Sequence, residues 1–152
     1  MDMDAFLARL EGLGRELGED QTPALERCAP IILEGIQANF SGARSSAGAP
    51  WPPRKDPKPQ HPLLILEGHL LAAAVGRSAA GVNRIENGKE LVLGVHLGAS
   101  GTSLGGARRQ QRGDSPPGIL PRPYLGFSEE VLDGCCGIVL EETVKQLMEA
   151  LS

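Results

Sequence analysis

Residues 82–97 read VNRIENGKELVLGVHL, and this stretch decides the fold. Val82 to Glu86 and Lys89 to Leu97 are two runs of strand-forming residues on either side of Asn87-Gly88. Asn-Gly accepts positive φ at both central positions of a type I′ turn, so the pair predicts a tight antiparallel hairpin. Glu86 and Lys89 are then expected opposite each other at its mouth, with complementary charge. Leu91, Leu93, Val95 and Leu97 alternate onto one face of the second strand, the pattern of a strand half-buried against other elements. The expected fold class is α+β: a small antiparallel β-sheet, with its hairpin near 82–97, packed against N-terminal, middle and C-terminal helices, with long mobile loops between them.

The helices are read outward from the hairpin. Upstream, LLILEGHLLAAAV (63–75) puts Leu66, Leu70 and Ala74 on one helical face, with Gly68 as an internal weak point. Before it, SGARSSAGAPWPPRKDPKPQHP (41–62) holds six of the twelve prolines and four bases, and reads as an extended, solvated arm in which only Trp51 should dock. Thr22 followed by Pro23 predicts an N-cap with proline at the first helical position, and Leu25, Ala29, Ile32 and Ile36 continue one stripe to about Phe40. Pro30 should kink or break the start of that helix. Phe6, Leu10, Leu13 and Leu17, with Leu7 beside them, predict a first helix weakened by Gly12, Gly14 and Gly18. Downstream, GASGTSLGGARRQQRGDSPPG (98–118) has no apolar period and reads as a long Gly/Arg-rich loop that orders on binding. Ser128 should cap the last helix, with Glu129 and Glu130 in its first turn. Its buried stripe is expected through Leu132, Cys136, Val139, Thr143, Leu147 and Leu151.

The chain has 152 residues, about one domain's worth, so residues 1–152 are read as a single domain able to fold without a staple. Aromatic residues make up 3%, too few to build platforms on which bases or sugars stack. The net charge of −4 hides an asymmetry. Residues 1–34 carry eight acids and three bases, residues 128–152 six acids and one base, and the middle eleven bases against five acids. A basic middle between acidic ends suits self-association or an acidic partner. The three cysteines, Cys28 and the pair Cys135 and Cys136, lack the spacing of a disulfide framework and suit a reducing cytoplasm. An acidic N-terminus without an apolar core is not a signal peptide, and no apolar run reaches the length of a membrane span, so no membrane partner is expected.

Few residues carry a chemical signature. Gly101-Thr102-Ser103-Leu104-Gly105 matches the nucleophile elbow of α/β-hydrolases. That fold places its histidine after the serine, whereas His61, His69 and His96 all precede Ser103, so the serine-hydrolase reading is the weakest alternative. The glycine-rich loop lacks the Gly-Lys-Ser/Thr of a phosphate loop, and the cysteines and histidines lack metal-ligand spacing. No catalytic residue, cofactor or metal is therefore expected, and Cys135 and Cys136 read as small core thiols. Arg108, Arg109 and Arg112 form the densest basic cluster. It could touch phosphates, which keeps a nucleic-acid-contacting module as the first alternative. Without a recognition helix, sequence-specific binding is not expected, and contact with the acidic terminal helices of another copy is favoured.

Four landmarks go further. Gly48-Ala49-Pro50-Trp51-Pro52-Pro53, Ile65-Leu66-Glu67-Gly68-His69-Leu70, Val92-Leu93-Gly94 and Leu120-Pro121-Arg122-Pro123-Tyr124-Leu125-Gly126-Phe127-Ser128 occur in this order. Their sequence and order resemble the phage virion morphogenesis family, the phage tail completion proteins, over about residues 36–150. The family's A-x-x-H-Q-x-G stretch is matched at Ala107, Gln111 and Gly113, with Gln110 in place of the histidine, and the glycine-rich residues 98–106 are an insertion. The resemblance implies a structural virion protein, made in the cytoplasm of an infected or lysogenic bacterium, that acts in tail completion or head–tail joining. It also implies a ring-like homo-oligomer and contacts to other tail or neck proteins. Trp51, Arg108, Arg109, Arg112, Arg122 and Tyr124 are the expected interface residues, with the arginine loop and the proline arm reaching neighbouring subunits.

Overall fold

The computed structural model describes Ala8 and residues 20–56, 58, 60, 62–65, 68–96, 107–113 and 120–152; of 107–109 it describes only the backbone. The helix expected through Phe6 to Leu17, and the expectations for Leu66, Leu97 and Ser103, lie outside these residues.

Among the described residues six elements follow in chain order: α1 (Thr22–Gly42), α2 (His69–Ala74), β1 (Gly81–Glu86), β2 (Glu90–Val95), α3 (Ala107–Arg112) and α4 (Glu129–Leu151). Helices and a two-stranded antiparallel sheet make the α+β class expected from the sequence. Asn87 and Gly88 take φ of 53° and 65°, and Lys89 N–H bonds the Glu86 carbonyl across the turn at 3.1 Å. The register, however, runs Glu86↔Glu90, Ile85↔Leu91 and Asn83↔Leu93. Lys89 is thus the extra residue of a bulge, and it does not face Glu86. Arg84 takes up the charge instead, with Nε 2.6 Å from Glu86 Oε1 on the same strand face. Leu91, Leu93 and Val95 share a face with Gly81 and Asn83, and Val95 packs on the core.

α1 is the centre of the molecule. It is one unbroken helix of 21 residues despite Pro30, so the expected break does not occur. The Glu26 carbonyl loses its i+4 donor, a local cost that packing of Ala24, Cys28, Ala29, Ile36 and Phe40 on both sides overrides. Thr22 is the first helical residue and not the cap; the Asp20 carboxylate accepts its N–H at 3.0 Å, and the Thr22 hydroxyl first, then this N–H, lower the Asp20 pKa. α2 starts only after Gly68, which has φ of 78° and is therefore the residue before the helix, not a weak point inside it. α2 and the hairpin pack on one side of α1. Where they meet, a Cβ on Gly81 would lie 2.6 Å from the Ala73 carbonyl oxygen, so only glycine fits.

α4 packs on another side of α1, antiparallel to it. Gln21 reaches Thr143 and Gln146, Arg27 pairs with Glu141 at 2.9 Å, Cys28 Sγ lies 3.8 Å from the Cys135 carbonyl oxygen, and Gly35 approaches Val131. Ser128 caps α4 as expected, accepting the Val131 N–H at 3.3 Å. The expected stripe holds at Val139, Thr143 and Leu147, which are half-buried, and fails at Leu132, Cys136 and Leu151, which are exposed. Val131, Cys135, Ile138 and Glu142 turn inward instead. The seam is polar as well as apolar: Thr143 and Gln146 meet Gln21 and Glu142 is buried, and apolar periodicity alone ranks Glu142 and Gln146 as outward.

Candidate functional site

The described residues of 41–62 are mostly exposed, and Trp51 is the docked exception, as expected. α1 ends at Ala43 with φ of 47°, the chain doubles back through an isolated bridge between Arg44 and Pro50, and Trp51 N–H bonds the Ala43 carbonyl at 2.7 Å. This reversal carries Trp51 into the core at 5% exposure. Its ring meets Phe40 edge to face, with centroids 5.7 Å apart, and Phe40 meets Tyr124 at 5.5 Å. Three of the chain's five aromatic residues thus form one cluster, joined by Ile36, Ala74 and Val75. Edge-on aromatic pairs add about 0.5–1.5 kcal/mol to the burial of their area. Trp51 and Tyr124 are expected at an interface; both are inside the chain's own core, packed with Phe40, Ile36, Ala74 and Val75.

The 120–127 segment is tied onto this cluster by its backbone. Trp51 Nε1 donates to the Pro123 carbonyl at 3.0 Å, and Asn39 Nδ2 donates to the Tyr124 carbonyl at 3.1 Å. Gln111 on α3 accepts the N–H groups of Tyr124 and Leu125 on one oxygen, at 2.8 and 2.9 Å, and returns its own amide to the Leu125 carbonyl at 3.1 Å. One side chain therefore satisfies three backbone groups that no strand pairs. Residues 107–112 of the expected 98–118 loop are helical, and this docking of Gln111 accounts for it. Gly126 has φ of 151°, and a Cβ there would meet Ser46 Oγ at 2.8 Å, which excludes a side chain. Burial pushes the Tyr124 hydroxyl up to about 12.

Arg122 stands at the rim. Its Nε and Nη2 donate to the Pro52 and Pro53 carbonyls at 2.9 and 3.0 Å, and Nη1 donates to Gln110 Oε1 at 3.1 Å. Its N–H bonds the Gln110 carbonyl at 2.6 Å. Every partner is a neutral oxygen, so the guanidinium is held rigidly and its charge is not cancelled. Burial first, and then the nearby Arg54 cation, lower its pKa. On the same proline segment Arg54 is half-buried, its Nη2 donating to the Pro62 carbonyl at 2.8 Å, and Lys55 is exposed; Arg112 is exposed at the end of α3. α3 also carries Arg108 and Arg109 in its helical backbone; their side chains lie outside the described residues. Arg122 with the nearby Arg54, Lys55 next to it in the chain, and Arg112 two residues after the Gln110 that Arg122 bonds make a cationic corner by the aromatic cluster; Leu120 and Phe127, on the segment that carries Arg122, are each about half exposed.

Of the expected interface residues, Arg112 and Arg122 meet in this corner, and Trp51 and Tyr124 support it from below. Sequence reasoning missed Gln110 and Gln111, which it treated only as spacers and motif matches, and Asn39. Amides signal no chemistry by type; the only sign of Gln111 was its match within the A-x-x-H-Q-x-G stretch. Among the described residues no three His, Cys, Asp or Glu side chains come together as a metal site, and no helix is long and apolar enough to cross a membrane. The chain matches no family model, no curated protein and no solved structure.

Proposed function

We propose that this chain is a structural component of a phage or prophage virion, working in tail completion or head–tail joining through contacts between protein surfaces and not by turnover. The observation that supports it most is the closure of the landmark residues on one another. Trp51 of the Pro-Trp-Pro-Pro run bonds Pro123 of the Pro-Arg-Pro-Tyr-Leu-Gly run, Arg122 of the second bonds Pro52 and Pro53 of the first, and Gln111 of the A-x-x-H-Q-x-G stretch pins both Tyr124 and Leu125. Residues up to 72 positions apart that carry a family resemblance thus cooperate in one piece of architecture. What that architecture exposes is fixed cations on stiff proline backbone, a surface suited to docking.

The test is genetic. Disrupting the gene in the phage or prophage that encodes it should leave particles that fail to complete or join tails, seen by electron microscopy, with infectivity restored by supplying the protein in trans. Normal yields of infectious, fully tailed particles from the disrupted phage would overturn the reading.

A further inference from the structure

The outward side of α4 carries Leu132, Cys136, Leu140, Val144 and Met148 at strict four-residue steps. All five are exposed, with Leu140 at 65% and Met148 at 63%. The row runs 16 residues, about 24 Å at 1.5 Å per residue, and rows of this spacing are the ridges that helices present to one another. A contiguous apolar ridge of that length marks a contact surface. Acids line its first half, with Glu129, Glu130 and Asp133 exposed; Glu141 further on is paired with Arg27. The one base on α4, Lys145, sits 3.7 Å from Glu142. The ridge is therefore both apolar and negative.

The cationic corner is its counterpart in both respects. It offers Arg54, Lys55, Arg112 and Arg122, with Leu120 and Phe127 as exposed apolar residues on the segment that carries Arg122. We infer that the α4 ridge of one copy docks on the Arg54–Arg112–Arg122 corner of a second copy of this chain. The inference rests on the assembly reading above and names its partner. Pairing of α4 with its own copy would bring Glu129, Glu130 and Asp133 of both copies together, a like-charge contact that costs free energy, whereas ridge on corner pairs acids with bases. Because the two surfaces differ, the contact is head-to-tail: each copy keeps one free ridge and one free corner, and growth ends only when a ring closes.

The experiment is sedimentation velocity on the full chain over a range of concentrations and at two salt levels, with Leu140→Asp and the double variant Arg54→Glu, Arg112→Glu. Leu140 is solvent-facing, so its variant should keep the native circular dichroism; Met148→Asp serves as a second ridge variant. Wild type should form oligomers that grow with concentration and lose at least tenfold in affinity at the higher salt. Each variant alone should be a monomer. An equimolar mixture of ridge and corner variants should form a dimer and nothing larger, since it holds one intact ridge and one intact corner that fit each other. A wild type that stays monomeric up to about 1 mM, the weak end of specific association, would overturn the inference. So would a corner variant that still assembles, which would mean that α4 meets its own copy. Ridge and corner variants that both behave as wild type would also overturn it, because something else, such as residues 1–19, would then cover the ridge. A mixed dimer, together with a gene disruption that leaves virions intact, would sink the virion reading and leave the contact standing.

Discussion

Phe40, Trp51 and Tyr124 are at most 5% exposed, whereas Leu132, Leu140, Val144 and Met148 on α4 are 45–65% exposed. The first group is gathered from three distant segments and covers itself; the second lies along one helix and is covered by nothing else among the described residues. The difference lies in how each region meets α1. The aromatic corner closes around the end of α1 through backbone hydrogen bonds from side chains of Asn39, Trp51, Gln111 and Arg122. α4 lies along α1 with a seam that is partly polar, so much of its apolar content is left facing outward. The aromatic cluster therefore reads as scaffold and the outward side of α4 as contact surface.

The largest effect that would break this comparison is at Trp51. Trp51→Ala should cost about 3–5 kcal/mol, as large-to-small changes at buried tryptophans do, and lower the urea midpoint of the monomer accordingly. A loss within about 0.5 kcal/mol, the range of ordinary surface substitutions, would place Trp51 on the surface after all. Next is Gln111→Ala, which strands the N–H groups of Tyr124 and Leu125 and should cost about 1–3 kcal/mol. Gln111→Glu keeps the accepting oxygen and should recover part of that loss.

A smaller effect sharpens the comparison through pH. Burial first, and then the hydrogen bond with Cys135, push the Cys28 thiol up from 9.0 to about 11, while burial pushes Tyr124 from 10.0 to about 12. The folded state disfavours both anions. Their contribution to stability is therefore complete below about pH 9 and is lost as pH rises toward 11 for Cys28 and 12 for Tyr124. Unfolding midpoints should fall over this window, and Cys28→Ala should remove the earlier part of the fall. A midpoint that does not change from pH 8 to 11 would show that neither group is buried as described.

The sequence made the hairpin legible because Asn87-Gly88 and the alternation of Leu91, Leu93 and Val95 are local signals. Ser128 was legible for the same reason. What it hid depends on partners distant in the chain. Nothing near Pro50 to Pro53 says that Trp51 will fold back to Phe40. The periodicity of α4 made Val139, Thr143 and Leu147 legible but not the burial of Glu142 or the pairing of Gln146 with Gln21, which depend on α1. Arg122 was legible as a fixed cation, but the carbonyls and the Gln110 amide that fix it were not.

The two cysteines that belong to the two sides of α4 test this account most directly. Cys28 is buried in the seam against Cys135, and Cys136 is exposed on the outward ridge. Labelling of the native chain with a maleimide at neutral pH, resolved by site with mass spectrometry, would follow both at once. The account predicts that Cys28 stays protected at every protein concentration, while Cys136 reacts fast in dilute solution and more slowly as concentration rises and the ridge is covered. Equal reactivity of the two thiols, or a Cys136 rate that ignores concentration, would contradict it.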